Sequence, residues 1–285
     1  MAALVSERRS QLCLGLDPDP EAIAAQSAPR PGGDPAAAAA AAVEARCREL
    51  IAAAAPACVA VKLQLACFER LGAAGWTALG DVAAAARRHD LLVIADGKRG
   101  DVPVTAEAYA RALVGETSTP WGPVSGLGAD AFTASPLLGR DALEPLVKAA
   151  AAAGSGVFVL VRTSNPGAAE VQDEPHGSPL HERLAEIVDG FADRLAGSAG
   201  LSGAGAVVGA TAPQLIGRLR ELMPRAIFLI PGVGAQGGRP EDLGAAFAPG
   251  PASALVTASR SIAEDPDPAA AAERLRAQVW EASGG

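Results

Sequence analysis

The sequence predicts an α/β chain closed into a (β/α)8 TIM barrel. Short apolar runs recur along its whole length, and helical patterns fill most of the intervals between them. Its 285 residues suit such a barrel, for which about 250 residues is usual. The strand-like runs are Leu12–Leu16, Cys58–Leu63, Leu91–Ala95, Ala129–Thr133, Val157–Val161, Ala206–Val208, Ala226–Ile230 and Ala254–Thr257. Leu91–Ala95 shows the type: it is apolar without alternation, as expected of a parallel strand covered on both faces. The helical patterns cover Ala36–Ala54, Trp76–Arg88, Ala106–Val114, Leu143–Ala153, Leu180–Leu195 and Pro213–Met223. Strand–helix alternation argues for a parallel sheet, and the strand count and absent domain break favour closure over an open sheet. Residues 1–285 are therefore read as one barrel domain, with the turn-rich Pro29–Pro35 inside the first crossover.

Composition narrows the possible partners. The net charge is −8 with no basic run, which argues against nucleic acid. Hydrophobic content of 49% comes largely from alanine, the best helix former. Met1–Gln11 carries Glu7, Arg8 and Arg9 and lacks a secretory core. No uninterrupted apolar run reaches the ~18 residues of a membrane span. Cys13, Cys47, Cys58 and Cys67 lack metal-type spacing, and Cys13 and Cys58 are read as small buried hydrophobes. A reduced, cytoplasmic enzyme is the expectation.

A barrel of this kind carries its site where the strands end. The first strand runs into Asp17-Pro-Asp19, the second into Lys62 and Gln64, and the third into Asp96, Lys98 and Asp101. The fifth runs into Arg162-Thr-Ser164-Asn165, the seventh into Pro231-Gly-Val-Gly-Ala-Gln236-Gly237-Gly238, and the eighth into Ser259-Arg260-Ser261. The fourth and sixth end in small, uncharged residues, read as walls. Charges at the mouth of an apolar strand cost desolvation unless they pair or do chemistry; a structural ion pair and a reactive group are both open here.

Lysine usage separates them. Of 24 basic residues only Lys62, Lys98 and Lys148 are lysine. Arginine serves a salt bridge at least as well, but it cannot release a proton as an ammonium can. Lysine at two strand ends therefore points to proton transfer or a tight point charge. The glycine loop after the seventh strand, with Arg260, suits an anion such as phosphate. Gly232-Val-Gly-Ala-Gln-Gly237 also matches a dinucleotide fingerprint, but Arg239-Pro240 interrupts the helix that motif needs. His89, His176 and His181 show no ligand spacing and are read as surface histidines. Asn165–Pro179 is read as a solvated loop or a lid.

These residues together resemble orotidine 5'-phosphate decarboxylase, in its longer, divergent branch. The resemblance is carried by Asp96-x-Lys98-x-x-Asp101, Lys62, Leu16-Asp17-Pro-Asp, Thr163-Ser-Asn-Pro-Gly-Ala168, the Pro231–Gly238 loop and Ser259-Arg260-Ser-Ile262. It runs from about Leu12 to Ile262. It implies decarboxylation of orotidine 5'-phosphate to uridine 5'-phosphate with no metal or organic cofactor. It assigns Lys62, Asp96, Lys98 and Asp101 to a charged catalytic network, with Lys98 between two acids. It assigns Asp17 and Lys62 to the ribose and Ser164 to the pyrimidine. Gln236, Arg260 and the Gly237–Gly238 backbone fall to the 5'-phosphate. It further implies a homodimer, with Asp101 and Thr105 reaching the neighbouring site. The rivals are a Mg²⁺-dependent sugar-phosphate lyase of the same barrel superfamily, which needs an acid where Lys62 stands, and a non-catalytic phosphometabolite-binding barrel.

Overall fold

The computed structural model describes residues 1–26 and 33–285. Most of the turn-rich Pro29–Pro35 stretch lies outside the described residues. Eight parallel strands form a closed barrel: β1 (Leu12–Leu16), β2 (Ala60–Gln64), β3 (Leu92–Arg99), β4 (Ala131–Ala134), β5 (Gly156–Arg162), β6 (Ser202–Val208), β7 (Ala226–Ile230) and β8 (Ala254–Ala258). Each pairs with its neighbours in chain order, and β8 returns to β1. This is the predicted (β/α)8 topology.

Local chemistry explains the elements. β1 and β7 coincide with their apolar runs. β3 continues past its run to Arg99, so the charged residues lie within the strand. β6 begins at Ser202, ahead of the predicted Ala206. A Cβ at its Gly205 would fall 2.7 Å from the Phe158 ring, so the residue that weakens the strand signal is what lets β6 pack on β5. The first long helix, Pro35–Ala54, is capped by Asp34, whose side chain accepts from the amides of Ala36 and Ala37. The Leu180–Leu195 pattern divides into a helix, Leu180–Asp189, and a 3-10 turn, Ala192–Leu195. A 3-10 segment, Pro240–Phe247, occupies the last crossover, and the helix Pro268–Ala282 packs back near β1. An antiparallel hairpin, Glu116–Thr119 with Gly122–Ser125, follows the helix Pro103–Leu113. No helix among the described residues is long and apolar enough to cross a membrane.

Side-chain alternation along the strands places the site. Leu12, Leu14, Leu16, Val61, Leu63, Val93 and Ala95 join the apolar layer shared with the helices. Cys13, Ala60, Ile94, Phe158, Val207, Leu229 and Leu255 fill the barrel interior. A period of two then sends Lys62 and Gln64 inward above Ala60, and Asp96 inward above Ile94. Register sets Lys62 beside Ile94 and Gln64 beside Asp96. The charged groups therefore stand on an apolar plug.

Candidate active site

At the C-terminal ends of the strands lies a cavity of about 390 Å³. Asp17, Lys62, Asp96 and Lys98 line one side, and Ser164, Gln236 and Arg260 another. A second cavity, of about 470 Å³, opens among the N-terminal strand ends. Its charged residues are already engaged, Asp130 with the amide of Val93 and Arg194 with Glu144. Of these two, the C-terminal cavity is the one lined by lysines and carboxylates that pair with each other.

The charged groups form an alternating row. Lys62 Nζ lies 2.7 Å from Asp96 Oδ2 and 3.6 Å from Asp17 Oδ1. Lys98 Nζ lies 2.7 Å from Asp96 Oδ1. Lys62 and Asp96 are buried, whereas the Lys98 side chain is 44% exposed and faces the cavity. Burial pushes the Lys62 ammonium down, but Asp96 and then Asp17 outweigh it and raise it above its usual range. Burial pushes the Asp96 carboxyl up, but the charges and hydrogen bonds of Lys62 and Lys98 draw it down to about 2. Asp96 is thus an anion at neutral pH between two ammonium groups, fixed where its charge can act.

The backbone at this point departs from regular strand geometry. β3 pairs Ala95 with Phe132 and then Arg99 with Ala134, so Asp96-Gly97-Lys98 bulges opposite the single residue Thr133. Lys98 takes φ +47°, a left-handed conformation that costs a non-glycine residue about 1–2 kcal/mol. Thr133 is buried within the barrel. Its hydroxyl accepts from the Lys98 amide at 2.8 Å and donates to Asp96 Oδ1 at 2.8 Å. Thr133 sits at the end of the fourth apolar run and was not among the predicted site residues. A lone threonine in such a run carries no sequence signal, and its importance comes from the bulge opposite.

The other wall is built from loops. Gly209 lies so close to the β5 loop that a Cβ there would meet Ser164 Cα at 2.8 Å, and the Thr211 hydroxyl donates to Ser164 O. Gly232 and Gly234 have φ +101° and +77°, conformations that favour glycine, and turn the β7 loop beneath Gln236. The amides of Gly237 and Gly238 donate inside that loop, to Gly234 O and Gly232 O. These two glycines line a neighbouring groove rather than the cavity. Gln236 and the exposed Arg260 line the cavity itself.

Asp101 and Thr105 are not brought to this cavity within the chain. Asp101 Oδ1 accepts from the Val102 amide at 2.7 Å, at the start of the following helix. Among the described residues Lys98 pairs with Asp96 alone, and Asp96 is flanked by Lys62 and Lys98. Arg162 also turns aside. It grips Asp173 through two nitrogens, at 2.8 and 3.0 Å. His181 is buried, not on the surface as predicted. Its Nδ1 lies 2.8 Å from Gln172 O and 3.1 Å from Asp173 Oδ1, partners that exist only once the 165–179 segment has folded back. That segment contains the helix Ala168–Gln172 and is tied to β5 by Gln172, which accepts from the Thr163 amide.

Fold and site together define a (β/α)8-barrel enzyme type, with an ammonium–carboxylate–ammonium row facing a cavity walled by the glycine-bearing β7 loop and Arg260. A family model described as orotidine 5'-phosphate decarboxylase / HUMPS family matches residues 10–275. The chain is 41% identical over 269 residues to orotidine 5'-phosphate decarboxylase of Rhodopirellula baltica, covering 91% of this chain and 85% of that one. It is 40% identical to the protein of the same name from Deinococcus radiodurans, covering 90% and 84%. The solved structure of Leishmania donovani OMP decarboxylase superposes with a TM-score of 0.75 at 31% identity, covering 100% of this chain and 99% of that one. The chain belongs to the orotidine 5'-phosphate decarboxylase / HUMPS family.

Proposed function

We propose that this chain decarboxylates orotidine 5'-phosphate to uridine 5'-phosphate, the final step of UMP synthesis, without a metal or organic cofactor. The observation that carries the reading is the Lys98 ammonium, facing the cavity and held 2.7 Å from a buried Asp96 whose carboxyl is ionised at neutral pH. Family membership supports it.

The chemistry follows from that placement. The bond between C6 of the pyrimidine and its carboxyl group breaks, CO2 leaves, and the electron pair stays on C6 in the ring plane. No carbonyl is positioned to accept that pair directly. An ammonium fixed beside the carbon stabilises the pair and then transfers a proton to it, forming the C6–H bond. Lys98 then regains its proton from solvent. Asp96 next to the departing carboxylate crowds two like charges, and loss of CO2 relieves the crowding.

Binding is divided among the remaining residues. Asp17 and Lys62 hold the ribose hydroxyls, and Ser164 hydrogen-bonds the pyrimidine. Gln236 and Arg260 hold the 5'-phosphate, with the Gly237 and Gly238 amides joining when the loop's internal bonds open. Gripping the remote phosphate orders the reacting end. Asp101 and Thr105 serve the neighbouring subunit's site in a homodimer, and the enzyme works in the cytoplasm. The Mg²⁺-dependent sister reaction is disfavoured because β2 presents Lys62, a cation, where that chemistry needs an acid.

The test is to add orotidine 5'-phosphate to the purified protein and follow loss of its absorbance with formation of uridine 5'-phosphate. Turnover that persists in EDTA is expected. No turnover overturns the reading, and turnover abolished by EDTA overturns its metal-free part.

A further inference from the structure

Thr133 lies opposite the bulge that bears both reactive groups, and its hydroxyl meets each of them. The three residues Asp96-Gly97-Lys98 face a single residue of β4, so the regular ladder has no partner there for the Lys98 amide. The Thr133 hydroxyl supplies one, accepting from Lys98 N at 2.8 Å. The same oxygen donates its proton to Asp96 Oδ1 at 2.8 Å. That carboxylate oxygen is also the one that receives Lys98 Nζ at 2.7 Å. Asp96, Thr133 and Lys98 therefore close a ring: carboxylate to hydroxyl, hydroxyl to the Lys98 main chain, and the Lys98 side chain back to the carboxylate.

Only a hydroxyl can perform both tasks, because it accepts and donates through one atom. Thr133 is 1% exposed, so water does not replace it without cost. The ring also opposes the strain at Lys98, whose φ of +47° relaxes if the amide loses its acceptor. A shift of the Lys98 backbone moves its ammonium relative to any bound carbon, and catalysis is sensitive to such displacements.

We infer that Thr133 is a positioning residue for decarboxylation, holding the Lys98 backbone and the Asp96 carboxylate in one fixed relation through its hydroxyl. The inference rests on the function proposed above and adds a residue on β4 to it.

The experiment compares Thr133→Val, which keeps the shape and removes the hydroxyl, with Thr133→Ser, which keeps the hydroxyl and removes the methyl. Steady-state kcat and KM for orotidine 5'-phosphate are measured, with urea unfolding in parallel. Loss of a buried hydrogen bond to a charged group corresponds to roughly a 10- to 100-fold fall in rate. The expected result is a fall of that size in kcat for Thr133→Val with KM little changed, and recovery of most of it in Thr133→Ser. If Thr133→Val does not fold, Thr133→Ala against Thr133→Ser makes the same comparison. Equal kcat in the hydroxyl-bearing and hydroxyl-free variants overturns the inference, as does a loss confined to stability. A wild-type protein that does not turn over the nucleotide refutes the proposed function instead, so the two failures are distinguishable.

Discussion

Replacing Asp96 with asparagine removes one negative charge from between two ammonium groups while leaving the side chain's shape. In the native protein Asp96 is 4% exposed and Lys62 is 6% exposed. Removing one partner of a buried pair costs about 3–5 kcal/mol, because the other charge is left uncompensated. Lys62 keeps Asp17 at 3.6 Å, and the amide oxygen can still accept a hydrogen bond, so the lower end of that range, roughly 3 kcal/mol at pH 7, is expected. The cost depends on pH in a defined direction. The Asp96 carboxyl is drawn from its ordinary 3.8 down to about 2, so its stabilisation is complete above the unfolded-state value and disappears as pH falls through the folded-state value. The shift corresponds to roughly 2 kcal/mol. Urea unfolding of wild type and Asp96→Asn at pH 7, 5, 3 and 2 should show a stability gap that is constant from pH 7 to 5 and shrinks by roughly 2 kcal/mol by pH 2. A gap that stays constant to pH 2, or no gap at pH 7, would refute the description of Asp96 as an anion clamped by Lys62 and Lys98.

Arg260→Ala removes a guanidinium from the cavity wall, and if it holds the phosphate as proposed, kcat/KM for orotidine 5'-phosphate should fall roughly 10- to 100-fold. Turnover of orotidine, which lacks the phosphate, should be unaffected, and an equal loss for both substrates would count against a phosphate contact. Gly209→Ala places a methyl group 2.8 Å from Ser164 Cα and must push the β5 loop. KM for the nucleotide should rise while the chain stays folded, and an unchanged KM would remove Ser164 from the binding site.

How much of this was legible depends on how local each signal is. β1 and β7 are pure apolar runs and could be read residue for residue. β6 could not, because Gly203 and Gly205 depress its hydrophobicity although close packing against Phe158 requires the latter to be small. Lys62 and Lys98 stood out because the chain uses lysine so sparingly. Their meeting at Asp96 follows from strand alternation plus register, both available once the barrel is assumed. Asp17 as a second partner of Lys62 depends on the loop after β1, which alternation does not reach. Asp101 stands three residues from Lys98 in sequence, but the bulge and the onset of the next helix turn its carboxylate to the Val102 amide. Thr133 and His181 acquire their roles only through tertiary partners, one from a bulge in the neighbouring strand and one from a loop that folds back. Neither feature leaves a periodic trace.

The most direct measurement of the central claim is the rate at which Lys98→Ala forms uridine 5'-phosphate from orotidine 5'-phosphate, in a sample shown by unfolding and product binding to keep its fold and its phosphate grip. A proton donor alone accounts for roughly 10²–10⁴-fold, and stabilisation of the carbanion adds to it, so the rate should fall by at least that factor. A Lys98→Ala protein that turns over at a rate near wild type would contradict the account.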